Sequence, residues 1–378
     1  GPVNTIGAGL ISALMRATAR ARLDGARGVI LASAKPRSFL DGANLVEITK
    51  DPSAFELGHL VVKLHDALAA LATSQFPVVS VLVDQTALGG GFETILWACD
   101  HVFATAGSRM GFPEVNVGLF PAAGGMETLW RVAGMDAMLD VVMNGRVLPA
   151  QDLAATGVVS VVAAEGIRDR ARDWILSHQG VVNRSHDLLW KAPDEEAGRA
   201  GAWKESIARA RRRWCACPER PWFGAALDAL EEGLGMGFEQ AVRAETKHFA
   251  PLIEHMNTRC KIDLFMDMTG VAPRLAQAGT GGGKPREVGA MAVIGAGLMG
   301  RGIAQVSADA GIDVLLLDVD EATASAGRDR IARDLEPLVR KGKWPAARLE
   351  KVMGRVRAGG GMAGVEGQRL VKGIQSLL

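Results

Sequence analysis

The stretch Ala87-Leu88-Gly89-Gly90-Gly91-Phe92-Glu93 limits more than any other what this chain can fold into. The apolar run Val78-Val79-Ser80-Val81-Leu82-Val83 leads into it, and Thr94-Ile95-Leu96-Trp97-Ala98-Cys99 follows with helical character. The order reads strand, glycine turn, helix start. Three consecutive glycines weaken a regular element unless the backbone must take positive φ or admit a close neighbour. The opening turn of a helix leaves N–H groups free to hold a negative oxygen. With Glu93 one turn in, the expectation is an oxyanion site with an acid or base beside it.

The 378 residues leave room for two or three domains, and 48% hydrophobic with 22% charged residues fits a soluble globular protein. A net charge of +1 gives no field that would draw nucleic acid or an anionic membrane. The one dense basic run, Arg211-Arg212-Arg213, reads as a solvated helix face. Cys99, Cys215, Cys217 and Cys260 form no paired framework, and Cys215-Ala216-Cys217 lacks the spacer and second ligand pair of a zinc site. Free thiols and no metal are expected, in a reducing cytoplasmic compartment of bacterial type; mitochondrial and peroxisomal interiors stay open. No apolar run reaches the roughly 20 residues of a membrane span, and no signal-peptide layout opens the chain.

An amphipathic helix is expected within 1–25, with Leu10, Leu14 and Ala17 on one side. Gly28 to Ser33 reads as a short buried strand, and Phe39-Leu40-Asp41-Gly42-Ala43-Asn44-Leu45 places a small-residue turn after it. A helix from Leu57 to Ala72 precedes the strand into the triple glycine. Asp100 to Thr105 returns as a strand, and the irregular stretch from Gly111 to Gly125 ends in a second glycine-rich helix start. Gly157 to Val162 reads as the last strand of an α/β unit.

Three separated motifs now agree in order and spacing: Phe39-x-x-Gly42-Ala43, Ala87-Leu88-Gly89-Gly90-Gly91-x-Glu93, and Phe112-Pro113-Glu114-x-x-x-Gly118-x-x-Pro121-x-x-Gly124-Gly125. Together they resemble the crotonase superfamily, specifically its enoyl-CoA hydratases, over residues 1–180. The resemblance implies a ββα superhelix, an acyl-CoA substrate, and a thioester oxygen held by the N–H groups of Ala43 and Gly90. It also implies two glutamates, Glu93 for water activation and Glu114 for proton transfer at Cα. Gly42, Asn44, Ala122 and Gly124 would shape the substrate site. Asn44 stands where the family commonly has Asp and Ala122 where it has Gly; both keep the backbone N–H. The first strand of a full crotonase domain is missing before Asn4, which reads as a fragment.

Residues 181–285 read as a helical linker. Glu245-Thr246-Lys247-x-Phe249 and Leu252 to Met268 resemble the linking helices of multifunctional fatty-acid β-oxidation enzymes, in which a hydratase is fused to a 3-hydroxyacyl-CoA dehydrogenase. Gln277 to Pro285 is no phosphate loop, since Ala278 and Pro285 replace the required glycine and Ser/Thr. Met291-Ala292-Val293-Ile294 reads as a buried strand, followed by Gly295-Ala296-Gly297-Leu298-Met299-Gly300, a helix, and a second strand ending at Asp318. Placed between strand and helix, with an acid 18 positions on, this is the dinucleotide fingerprint. Gly295, Gly297, Gly300 and Asp318 would hold NAD rather than NADP.

The expected architecture is thus a crotonase-like domain over 1–180, a helical linker over 181–285, and the first part of a Rossmann βαβ domain over 286–378. Glu321 to Lys341 and Ala346 to Val356 read as helices, and Ala358-Gly359-Gly360-Gly361 as a break. The resembled dehydrogenase needs a catalytic histidine after the fingerprint, yet the last histidine is His255. The expectation is therefore hydration of trans-2-enoyl-CoA with an incomplete NAD site and no dehydrogenase turnover. A Δ3/Δ2 isomerase, or a non-catalytic fragment that binds acyl-CoA or NAD, are the alternatives. The multifunctional family also implies docking to a thiolase.

Overall fold

Val78–Leu82 (β3) is buried along its whole length, as a parallel strand covered on both faces must be. In the computed structural model it lies between β1 (Val29–Ala32) and β5 (His101–Ala104), and β8 (Val159–Val161) completes a parallel sheet in the order β1-β3-β5-β8. The structure describes residues 3–50, 53–180, 200–278, 288–340 and 342–361. A second sheet has the order β2 (Ser38–Asp41), β4 (Thr86–Leu88), β6 (Arg109–Gly111), β7 (Val147–Pro149), parallel except at β7.

The chain alternates between these sheets. Each step through the first sheet is followed by one through the second and then by a helix: β1, β2, then α2 (Leu45–Ile48) and α3 (Ala54–Ala72); β3, β4, then α4 (Gly90–Ala98). After β5 and β6 come a 3-10 turn at Glu114–Val117, α5 (Gly125–Ala133) and α6 (Met135–Met143). This is the ββα superhelix. The short helix α7 (Ala150–Ala154) leads to β8, and α8 (Ile167–Ser177) packs on β3.

Near the N-terminus two details differ from the sequence reading. Helix α1 (Ala8–Leu23) turns Ile11 and Thr18 inward, while Leu10 stays 40% exposed and Ala17 lies outside. The inner stripe therefore runs through Ile11, Leu14 and Thr18, the i, i+3, i+7 set one residue on from the expected face. β1 is only half-buried because it forms the sheet edge.

The helices expected as a linker belong to the first unit. The chain divides at residues 1–273 and 274–378. Helices α9 (Ala200–Trp214), α10 (Pro221–Gly233), α11 (Phe238–Phe249) and most of α12 (Met256–Ala278) lie in the first of these. Ile207, Trp222, Phe223, Leu227, Phe238 and Phe249 share one apolar cluster with Leu68, Phe92, Phe112 and Phe120. Residues 181–199 and the linker segment 279–287 lie outside the described residues.

The second unit holds a parallel three-stranded sheet, β11-β10-β9, with β9 at Ala290–Ile294, β10 at Asp313–Asp318 and β11 at Val356–Gly360. Helices α13 (Leu298–Asp309), α14 (Glu321–Arg340) and α15 (Ala346–Arg355) connect and cover it. β9 forms as expected but buries only Val293, with Ile294 62% exposed, because it is an edge strand. The expected break at Ala358 to Gly361 is instead mostly strand. A Cβ on Gly360 would lie 2.5 Å from the Glu321 backbone nitrogen, so the glycine lets the start of α14 close against the sheet. Residues 362–378 lie outside the described residues. No helix among the described residues is long and apolar enough to cross a membrane.

Candidate active site

Asp41, Leu88 and Gly111 stand in register at the C-terminal ends of β2, β4 and β6. The three motifs leave the sheet side by side from these points: Gly42-Ala43-Asn44, Gly89-Gly90 and Phe112-Pro113-Glu114. Crevices outside the C-terminal ends of parallel strands are where α/β sheets take ligands. Gly42 and Gly89 both have left-handed backbones, φ +78° and +54°. A side chain at Gly89 would come within 2.6 Å of Glu114 Oε1 and 3.5 Å of Gly42 Cα, so only glycine fits the crossing of all three segments.

Past Asp41 and Leu88 the two segments stay close: a Cβ on Gly90 would lie 2.4 Å from Ile6 Cδ1, and Ile6 is the residue that pairs with Ala43. Gly42 O accepts from Ile6 N–H at 2.8 Å and Asn44 N–H donates to Ile6 O at 2.7 Å, which fixes the peptide between them. Gly90 opens α4. Neither the Ala43 nor the Gly90 N–H has a hydrogen-bond partner among the described residues. Two free donors on neighbouring segments can serve a carbonyl oxygen that gains negative charge. Asn44 is turned to a different task, capping α2 by accepting from Glu47 N–H at 3.3 Å.

Glu93, 4% exposed, projects from the first turn of α4. Its Oε1 accepts from Ala123 N–H at 2.7 Å and Gly125 N–H at 3.0 Å. Burial pushes its carboxyl up to about 7, and these N–H donors pull the other way. A Cβ on Gly125 would lie 2.7 Å from Glu93 Oε1, so the second glycine motif is needed for the carboxylate to dock there. Glu114 follows β6, and its Oε2 is buried with no hydrogen-bond partner. Burial first, and the neighbouring Glu93 charge second, hold Glu114 well above the usual carboxylate range. Two carboxylates that cannot both ionise cheaply are suited to passing protons.

The turn at Ala122 to Gly125 is gripped by two residues that the sequence reading did not place in the site. His65, on α3, meets Ala122 O through Nε2 at 3.0 Å, and burial lowers its imidazole to about 4, so it stays neutral and donates. Glu245, on α11, is fully buried and accepts from Gly124 N–H at 2.8 Å and Glu127 N–H at 3.0 Å. Gly124 takes φ +84° and packs within reach of Trp97, Val242 and Phe238. The sequence carries one signal for Glu245: it stands inside the apolar stripe Phe238, Ala241, Val242, Phe249, where a carboxylate needs a buried partner.

A family model described as enoyl-CoA hydratase/isomerase matches residues 1–189, half of the chain. The chain belongs to that family. A second model, the NAD-binding domain of 3-hydroxyacyl-CoA dehydrogenase, matches residues 290–372. Relatives of the chain include the fatty acid oxidation complex subunit alpha of Psychrobacter arcticus, 27% identical over 347 residues. The corresponding subunit of Psychrobacter cryohalolentis is 26% identical over 352 residues. Each alignment covers 89% of this chain but 47% of the relative, so the chain spans about half the length of these proteins. Among solved structures, the enoyl-CoA hydratase from Bacillus halodurans aligns with a TM-score of 0.49 at 17% identity, covering 69% of this chain and 90% of its own. A putative enoyl-CoA hydratase from Streptomyces avermitilis aligns with a TM-score of 0.49 at 18% identity, covering 71% and 84%.

In the second unit, Gly295 takes φ +98° and donates its N–H to Leu317 O. A Cβ on Gly300 would lie 1.7 Å from Gly295 O, so the tight turn into α13 requires glycine there. Gly297 caps α13 and has open space around it. Asp318 accepts from Ala296 N–H at 2.6 Å and Val319 N–H at 2.8 Å, and these donors hold its carboxyl below the usual range. An ionised acid at the end of β10, beside a glycine turn and a helix N-terminus, fits the ribose and pyrophosphate of a dinucleotide. No group of three or more His, Cys, Asp or Glu among the described residues could hold a metal ion.

Proposed function

We propose that the first unit hydrates trans-2-enoyl-CoA thioesters to 3-hydroxyacyl-CoA. The observation that carries this reading is two unpaired N–H groups, at Ala43 and Gly90, on the neighbouring segments that also bear Glu93, which is buried, and Glu114, whose Oε2 is buried without a partner. The thioester oxygen sits between the two donors. Water held by ionised Glu93 gives a proton to that carboxylate as its oxygen bonds to Cβ. The Cα–Cβ π electrons move onto the carbonyl oxygen, where the donors stabilise the enolate. Glu114, protonated because of its burial, delivers a proton to Cα, and the net result is addition of one water across the double bond. Gly42, Asn44, Ala122 and Gly124 shape the floor through their backbones.

The partnerless Oε2 of Glu114 also suits a second reading, shuttling a proton between carbons in a 3-enoyl thioester. Product analysis with 2-enoyl and 3-enoyl thioesters separates the two. For hydration, the decisive measurement is loss of the conjugated absorbance of crotonyl-CoA. Glu93→Gln and Glu114→Gln are each expected to lower kcat by about 10²- to 10⁴-fold; wild-type rates in both would overturn the mechanism. In the second unit, Gly295, Gly297, Gly300 and Asp318 would hold NAD, which supplies a hydride acceptor when bound.

A further inference from the structure

Four backbone N–H groups around the start of α5 are divided between two glutamates from distant parts of the chain. Ala123 and Gly125 donate to Glu93, while Gly124 and Glu127 donate to Glu245. The donors alternate along the turn, so neither carboxylate can move without shifting the peptides that hold the other. Glu245 comes from α11, outside the sheets that carry the three motifs. It is not free to drift, because α11 is anchored in the core by Phe238, Val242 and Phe249. Its neighbour Glu127 is itself fixed by an ion pair with Arg131 and by Trp130 Nε1–H at 3.0 Å.

From this interleaving we propose that Glu245 is a positioning residue for Glu93. By holding Gly124 and Glu127, it keeps Ala123 and Gly125 aimed at Glu93 Oε1 and so fixes the orientation and proton affinity of that carboxylate. Only the kinetic part of this inference rests on the hydratase reading. Other titratable and charged groups around Glu93 are Glu114, the Glu127–Arg131 pair, and His65 across Ala122, with Asp66 and Arg243 acting on His65.

The test is Glu245→Gln in the full chain. Burial, with Glu127 and Glu93 beside it, holds the Glu245 carboxyl well above the usual range, and each of its two oxygens accepts one N–H; a glutamine amide puts an NH₂ in place of one of those oxygens, so it cannot hold both. The turn relaxes and Glu93 loses donors that favour its ionised form. Its titration, followed by the ¹³C side-chain carboxyl resonance assigned with Glu93→Gln, is expected to move upward by about one pH unit. The acid limb of crotonyl-CoA hydration moves the same way, kcat falls about fivefold at pH 7, and KM stays within about twofold, since no substrate contact is lost. A purely structural role lowers the rate equally at all pH and leaves the Glu93 midpoint in place. A downward move would mean that only the charge of Glu245 mattered. Either result overturns the proposal. If Glu245→Gln does not fold, Glu245→Asp retracts the carboxylate by one methylene and is read in the same way. A chain that hydrates nothing but shows the upward shift refutes the hydratase reading alone. A chain that hydrates normally with an unmoved midpoint refutes this inference alone.

Discussion

Glu114 shows most directly what the site costs the fold. Its folded-state carboxyl lies well above the 4.5 of an ordinary glutamate, because Oε2 is buried without a partner and Glu93 is near. A carboxyl raised on folding contributes stability that is fully present below the unfolded value and is lost as pH rises through the folded one. Above that point the native state carries a charge it cannot solvate. Glu114→Gln removes that charge and keeps the shape. Its melting temperature should exceed wild type by about 2 to 4 °C near pH 8 and match it near pH 4. A calorimetric scan at both values checks this, and equal melting temperatures at high pH would show that the carboxylate is solvated after all. Hydration should rise with pH through about 7, since Glu93 must be ionised to take the proton from water.

At the scale of elements, the glycine turn works because α4 lies almost on top of β2. A Cβ at Gly91 would stand 1.8 Å from Leu40 O, and a backbone atom cannot swing aside as a side chain can. Gly91→Ala must therefore move α4 off the sheet, and with it Glu93 and the Gly90 N–H. Urea unfolding is expected to show a loss of about 3 kcal/mol or more, with hydration lost in the protein that still folds. This turn was legible in the sequence because strand, glycines and helix are local. So was the fingerprint at Gly295 to Gly300, where Gly295 φ and the Gly300 contact are set within a few residues. The rest depends on neighbours far along the chain. The inward face of α1 lies one residue on from the expected stripe because Thr18, not Ala17, meets the core. The glycines of β11 read as a break until the start of α14 is seen pressed against them. Glu245 lies 121 residues from its partner Gly124, and no local pattern links the two.

For the whole molecule, the question is where the first unit ends. A boundary near residue 180 follows from the change to polar, charged sequence, but the core continues past it. Trp222, Phe223, Leu227 and Phe238 are nearly fully buried, and they belong to the same apolar cluster as Phe92, Phe112 and Phe120. Each such side chain contributes about 2 kcal/mol of burial, so losing these four removes about 8 kcal/mol, as much as the whole net stability of many domains. The same helices bring Glu245 to the turn that orients Glu93, so losing them damages both core and chemistry. A chain of residues 1–180 is expected to give no cooperative thermal transition and no crotonyl-CoA hydration. A chain of residues 1–273 keeps the core cluster and all the proposed hydration residues, and it should melt cooperatively and hydrate at the rate of the full chain. Circular dichroism melts paired with the absorbance assay distinguish these outcomes. Cooperative melting and hydration by the shorter chain would show that α9 to α12 cover the hydratase without completing it.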